Sequence, residues 1–461
     1  MVALNDLSFL ASIAATAFLF HALTAPLWRR CVLLGASGAF LASFGSWTTL
    51  RPVVAFAGAC TLAILAAARW RGGAMALLAV LVAGFALLKG YVGAAFVDQA
   101  ATTVGISYIL FRTVQILVDL SDGALDQADV HLGEVMLFLL SFLTFTAGPI
   151  QRYEAFRAQL AVSDRIMLAD IDPRAVFGRT VYGYVKLTVL APVLMVAHMA
   201  LVQASLPPSQ RIGLAAAAFM LWIYVNFSGY MDIVIGLGRL FGFALPENFT
   251  RPDRAVNFLD LWSRWHITLS QTLLTYVFNP LVGMLLVRQI AGPVTAGAVG
   301  YLTVFFLIGW WHGPASRFAL SGLLLGLAAL VNKFWQAGRQ RWPGLATELP
   351  YGSVISGGLG LGACAVALVP TWPLFALEGE LLEFFVTSGH LIGALVVASA
   401  VGCAVRLLGL ALDRLAAKWV PATWFRLATA PAFMGLVAAA LVGLILMQSN
   451  DIPAVAYYQR F

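Results

Sequence analysis

The chain is 461 residues long, with 61% hydrophobic and 11% charged side chains and a mean hydropathy of +0.88. A water-soluble domain carries roughly 25% charged residues, so a soluble enzyme, a disordered chain and a disulfide scaffold are excluded. The balance of 28 Lys and Arg against 21 Asp and Glu leaves a charge of +7. No basic block interleaved with aromatics accompanies it, so the excess reads as basic flanks of membrane segments and not as a nucleic-acid partner.

From Leu7 to Trp28 the chain is apolar, too long for the core of a signal peptide and preceded by no positive charge. It is expected as a first transmembrane helix. Arg29 and Arg30 follow directly, which places the N-terminus outside and Arg30 in the cytoplasm. Runs near 31–50 and 53–68 meet at an Arg51-Pro52 corner, and Arg69 and Arg71 close a basic loop. Further apolar segments lie near 74–92, 101–118, 133–150, 180–203, 211–241, 294–311, 317–336, 352–377, 389–411 and 427–447. At ~20 residues per crossing, about 11 transmembrane helices are expected.

The fold class is therefore all-α: a polytopic integral membrane protein with re-entrant or interfacial helices besides its spans. Residues 1–461 read as one membrane-embedded domain, with low-information helices over 1–85, a motif-bearing core over 86–345 and C-terminal helices over 346–461. Arg112 interrupts one span, and Asp119, Asp122, Asp126 and Asp129 form an acidic loop expected to face outside. Cys31, Cys60, Cys364 and Cys403 show no C-x-x-C spacing and read as small core hydrophobes, with no metal site implied.

Two polar stretches interrupt this background. Residues 151–179 hold five arginines and four acids and read as a solvated interfacial loop or surface helix. Residues 246–281 mix three arginines, three acids and a histidine with Trp262, Trp265, Phe249, Phe258 and Tyr276. Such a mix suits an interfacial amphipathic helix or a re-entrant segment buried in protein.

The histidines separate into two groups. His21, His131, His198 and His390 are isolated and read as structural. His312 follows Trp310-Trp311 and precedes the helix-breaking Gly313-Pro314, so its ionisable ring sits at a chain reversal in an apolar setting. His266 lies in Arg264-Trp265-His266, just ahead of a new apolar run.

The stretch from Asn226-Phe-Ser-Gly-Tyr-Met-Asp232 through Pro246-Glu-Asn-Phe249 to Trp262-Ser-Arg-Trp-His-Ile-Thr-Leu-Ser270 closely resembles the membrane-bound O-acyltransferase family. Its likeness is to the bacterial branch that includes alginate O-acetyltransferase membrane subunits and teichoic-acid D-alanyltransferases. Gly105-Ile-Ser-Tyr-Ile-Leu-Phe-Arg112, Ala147-Gly-Pro-Ile-Gln-Arg-Tyr153, Gly309-Trp-Trp-His-Gly313 and the aromatic tail Ala456–Phe461 match family landmarks in order. The resemblance covers roughly residues 85–461. It implies helices around a central funnel or tunnel, with His312 matching the family's invariant histidine and His266 its second. It further implies a bacterial cytoplasmic (inner) membrane location and acyl transfer from a cytoplasmic thioester to a hydroxyl. The donor is acyl-coenzyme A, acetyl-coenzyme A foremost, or an acyl carrier protein, with no tightly bound cofactor. The acceptor is a cell-envelope or exported polysaccharide, reached with a periplasmic or extracellular partner protein.

The residue chemistry fits that reaction. Neutral imidazole accepts a hydroxyl proton during attack on a thioester and returns it to the leaving thiolate. Trp310 and Trp311 are expected to exclude water, Trp265 to flank the donor, and Arg264, with Arg251 and Arg254, to attract donor phosphates. Asn226, Ser228, Tyr230 and Asp232 recur one turn apart on an otherwise clean span, and with Asn248 they are expected to contact substrate. Departures from the alginate-type pattern occur at Thr272–Tyr276, where an Arg and an Asp are missing, and at Ser316-Arg317-Phe318. They bear on donor or acceptor specificity and on which acyl group is carried, acetyl, D-alanyl or longer. A transporter or flippase is the alternative of another class, distinguished by repeated halves that this sequence lacks, and a silent scaffold is a third.

Overall fold

The computed structural model describes residues 7–91, 105–313, 315–341, 352–371 and 389–419. The expected span at 427–447 and the aromatic tail lie outside the described residues. Among the described residues the secondary structure is helical, with one isolated bridge between Phe249 and Trp265. Eight helical segments among the described residues are long and apolar enough to cross a membrane, and Ser8–Ala22 and Gly352–Ala367 are shorter apolar helices. Large apolar side chains such as Phe18, Val80, Val196, Val287 and Ile392 point outward, as lipid-facing residues do.

The chain divides into two compact units, Met1–Val189 with Phe227–Glu247 and Ala428–Phe461, and Leu190–Asn226 with Asn248–Leu427. In the first, α1 (Leu7–Ala22), α2 (Pro26–Ala42), α3 (Trp47–Arg69) and α4 (Ala74–Leu88) precede α5 (Ile106–Ser121) and the short α6 (Leu132–Leu140). The apolar run at 133–150 is therefore not a crossing: its helix stops after nine residues. Gly148 and Pro149 cannot continue a helix, and the carbonyls left unpaired at its end need donors. Arg112, buried on α5, supplies them through Nη1 to the Phe138 and Leu139 carbonyls (2.6 and 3.0 Å) and Nη2 to the Thr144 carbonyl (2.7 Å). The charge that interrupted a span in the sequence is a cap for a broken helix.

Of the two forms expected for the stretch 151–179, loop or surface helix, it takes the helix. It contains α7 (Tyr153–Ser163) and begins α8 (Pro173–Val185). Arg157 pairs with Asp129 (2.9 Å) and Glu134 (2.8 Å), and Arg30 pairs with Glu134 (3.1 Å) and Asp164 (2.7 Å). Asp129 and Arg30 thus share one ionic cluster, so the acidic loop lies on the same side as Arg30 and not opposite it. Charge pairing decides the side here, where hydropathy alone could not. Cys60 and Cys364 are buried as expected, whereas Cys31 is exposed.

The span from α8 through a wide turn at Lys186–Leu190 into α9 (Ala191–Gln203) bulges one turn ahead of Pro192, and a second wide turn at Leu274–Phe278 precedes Pro280. Proline offers no N–H to the carbonyl one turn back, and the local ladder widens. The helix α10 (Pro208–Gly238) carries Asn226, Ser228, Tyr230 and Asp232.

In the second unit, α11 (Phe258–Ser263), α12 (Ile267–Leu273) and α13 (Asn279–Val287) lead to the hairpin of α14 (Pro293–Trp311) and α15 (Ser316–Arg341). The last described helices are α16 (Gly352–Ala367) and α17 (Gly389–Trp419), meeting where Gly358 and Gly362 face Ser399 and Cys403. Small residues let membrane helices approach closely. The same device closes the α14–α15 hairpin: a Cβ at Gly309 would lie 2.7 Å from the Gly322 backbone nitrogen. Gly309→Val is therefore expected to destabilise the protein by about 1–3 kcal/mol through overpacking, read as a lowered melting midpoint in detergent.

Candidate functional site

The second unit gathers the motif residues around two chain reversals. Its first reversal is built from Asn248 and Thr268. Asn248, fully buried, accepts hydrogen bonds at Oδ1 from the Thr268 backbone (3.1 Å) and hydroxyl (2.6 Å), and its carbonyl accepts from the Ile267 N–H (3.0 Å). The Thr250 N–H donates to the Arg264 carbonyl (3.1 Å). These bonds fasten the segment 248–250 alongside 264–268 and start α12. Trp265 completes the seal, edge-on to Phe249 (5.2 Å between centroids) and tilted against Tyr224 (5.9 Å).

His266 stands at this reversal with φ 44 and ψ 51, in the left-handed region. A non-glycine residue holds that conformation only when its surroundings impose it, and such sites cluster where function is built. The ring is buried, and burial lowers its pKa to about 3, helped by the charge of His312. His266 is therefore neutral at physiological pH. His312, whose charge contributes to that lowering, belongs to the same unit.

His312 caps the C-terminal end of α14, its N–H donating to the Gly309 carbonyl (3.1 Å). Its half-buried ring lies 4.7 Å from the Trp311 ring and 6.2 Å from that of Phe318. The two tryptophans divide: Trp311 covers His312, whereas Trp310 stacks on Phe306 one turn back and is 38% exposed.

The arginines expected to read phosphate are engaged with acids. Arg264 binds Asp260 (3.0 Å), Arg251 binds Asp253 (2.8 Å) and Asp413 (3.1 Å), and Arg254 binds Asp413 and the Gly409 carbonyl (2.9 Å).

The α10 row divides between the units. Asn226 is buried in the second, while Ser228, Tyr230 and Asp232 belong to the first. There the Tyr230 hydroxyl meets the Thr146 hydroxyl (2.9 Å), beside the Ala147-Gly-Pro motif. Asp232 accepts from Arg179 (3.1 Å) and Lys186 (2.7 Å), and Arg179 also binds Glu247. Neither Thr146 nor Lys186 was singled out by the sequence. Of the isolated histidines, His21 contacts the Leu240 carbonyl (2.8 Å) and His198 that of Ala215 (3.0 Å). Among the described residues no group of three His, Cys, Asp or Glu is placed to hold a metal ion.

Comparison with known proteins bears on this arrangement. The profile of the membrane-bound O-acyltransferase family matches residues 36–344. The teichoic acid D-alanyltransferase of Bacillus subtilis is 26% identical over 249 residues, 53% of this chain and 62% of that protein. A probable alginate O-acetylase of Pseudomonas fluorescens is 29% identical over 50% of this chain and 44% of its own length. The peptidoglycan O-acetyltransferase of Helicobacter pylori is 38% identical over a shorter 120 residues, 26% of this chain and 22% of that one. In each case the match spans less than two thirds of the relative.

Proposed function

Because the chain belongs to the membrane-bound O-acyltransferase family, a family of multi-pass membrane proteins, we propose that it is an acyltransferase with His312 as its general base. It moves an acyl group, acetyl foremost, from a cytoplasmic thioester to a hydroxyl of a cell-envelope or exported polysaccharide, or to an intermediate on the far side. The observation that carries this reading is the pair of imidazoles in one unit, His312 at a helix end beneath Trp311 and His266 held in a left-handed turn.

His312 takes the proton from the acceptor hydroxyl as its oxygen attacks the thioester carbon. Collapse of the tetrahedral adduct breaks the C–S bond, and the imidazolium returns the proton to the departing thiolate. No acyl-enzyme is needed. Trp311 keeps water from competing for the thioester, and His266, neutral beside the reacting centre, orients the donor. The bacterial inner membrane, with the N-terminus outside, is the setting, and a periplasmic partner carries the acceptor. D-alanyl transfer from a carrier-protein thioester is the second reading, favoured by the Bacillus subtilis relative.

The test is the mass added to candidate glycans when membranes containing the protein receive labelled acetyl-coenzyme A. An acetyl increment supports the first reading, and an increment only with a D-alanyl carrier protein supports the second. No increment with either donor overturns both. His266→Asn, which tolerates the left-handed backbone, is expected to lower turnover by less than the ~10²-fold minimum foreseen for loss of the base. Turnover equal to the unsubstituted protein would remove His266 from the reaction.

A further inference from the structure

The turn between α14 and α15 carries a cation that the proton transfer by His312 does not use. Arg317 stands in the first turn of α15, five residues after His312. Helical side chains lean toward the N-terminus of their helix, here toward the reversal that holds His312. The Arg317 guanidinium carbon lies 5.2 Å from the centre of the Phe318 ring, and that ring lies 6.2 Å from the His312 ring. Guanidinium and imidazole are therefore at most about 11 Å apart, with one buried phenyl ring as their common neighbour. A Cβ at Gly313 would lie 2.9 Å from Phe318 Cε2, so the ring is wedged against the reversal itself.

The guanidinium has an aromatic neighbour and no carboxylate. Arg317 is half-buried, its Nε is buried without a hydrogen-bond partner, and among the described residues it makes no ion pair. The sequence has no acid between Asp260 and Glu348, so neither arm of the hairpin offers one. The described acids of this unit, Asp253, Asp260 and Asp413, are each bound to another arginine. Buried donors are normally satisfied, and an orphan among them marks a missing acceptor. The N–H groups of a guanidinium form a planar fork that matches carboxylate and phosphate.

Charge fixes the side from which such an anion comes. The ends of the hairpin opposite His312 carry Arg288, just before α14, and Arg339 and Arg341, at the close of α15, the basic signature of a cytoplasmic end. The His312–Arg317 turn therefore faces the other compartment, from which an exported acceptor arrives. We propose that Arg317 selects the acceptor: it holds a carboxylate or phosphate that neighbours the accepting hydroxyl, and so brings that hydroxyl to His312. This assignment rests on the acyltransferase reading above and deepens it, with an anionic saccharide as the substrate class. Two hydrogen bonds of ~3 Å each and one sugar ring bridge the gap between the two groups. Arg317 moves no proton; it sets which hydroxyl is held in line with the base.

The test measures binding of two probe pairs to the full chain in nanodiscs of phosphatidylcholine. One pair is a hexuronate tetrasaccharide and its carboxyl-reduced neutral form; the other is a tetrasaccharide phosphate monoester and its dephosphorylated form. At least one anionic probe is expected to bind about ten- to hundred-fold more tightly than its neutral counterpart, and the pair that shows it assigns carboxylate or phosphate. Arg317→Gln should erase the preference, and Arg317→Lys, which keeps the charge without the fork, should retain part of it. In turnover, Arg317→Gln should raise KM for the anionic acceptor by the same factor and leave KM for the donor where it was. Equal affinity within both pairs, or a preference that survives Arg317→Gln, overturns the assignment. A preference that vanishes on adding phosphatidylglycerol gives Arg317 to a lipid headgroup and also overturns it. Binding is read without turnover, so a protein that prefers the anionic probe yet transfers no acyl group fails the acyltransferase reading alone.

Discussion

Replacing His312 with alanine is expected to lower acyl transfer by about 10²–10⁴-fold while leaving the protein folded in the membrane. The ring contacts Trp311 and Phe318 and is half-buried, and the α14 cap uses its backbone N–H, which alanine retains. Little packing is lost, so the loss falls on chemistry. Transfer at the unsubstituted rate by a stably inserted variant would overturn the mechanism.

The pH dependence follows in sign. A base must be unprotonated to accept the hydroxyl proton, so the single-turnover rate falls as acid protonates it. His266 does not contribute that limb, because its pKa of about 3 keeps it neutral through about pH 5–8. His266→Asn should therefore change the height of the profile and leave its shape. A flat profile would argue against a histidine base. Stability responds to His266 too. Its folded pKa lies below its unfolded value, so unfolding takes up a proton between the two, and stability declines as pH falls below about 6.5 toward 3.

The sequence disclosed the helical membrane class through its apolar runs, because a bilayer demands about 20 such residues per crossing. It disclosed the turn at His312 through Gly313-Pro314, a local breaker. Arg112 was harder to read. In the sequence it spoils a span, and only the fold brings it to the carbonyls of Phe138 and Leu139, some 26 residues on. The left-handed turn at His266 depends on Asn248 reaching Thr268 across 20 residues, a pairing that no periodicity encodes.

Asp232→Ala is expected to destabilise the first unit by about 3–5 kcal/mol, the usual consequence of stripping one partner from a buried ion pair. Asp232 is only 13% exposed at its side chain and takes both Arg179 and Lys186, themselves 19% and 11% exposed. Removing it leaves Arg179 with Glu247, whereas Lys186 loses this carboxylate inside a membrane span, with the Tyr182 ring 4.3 Å from its ammonium. The penalty therefore belongs mainly to Lys186, and the companion change Lys186→Met should recover part of it. Thermal unfolding in detergent reads the cycle: a lower midpoint for Asp232→Ala, and a higher one for the double variant than for the single. If Asp232 served substrate alone, its loss would lower turnover without moving the midpoint. If it also fixes the face of α10 that carries Tyr230, the double variant regains stability before it regains rate, because the stability lies in the charges and the alignment in the carboxylate.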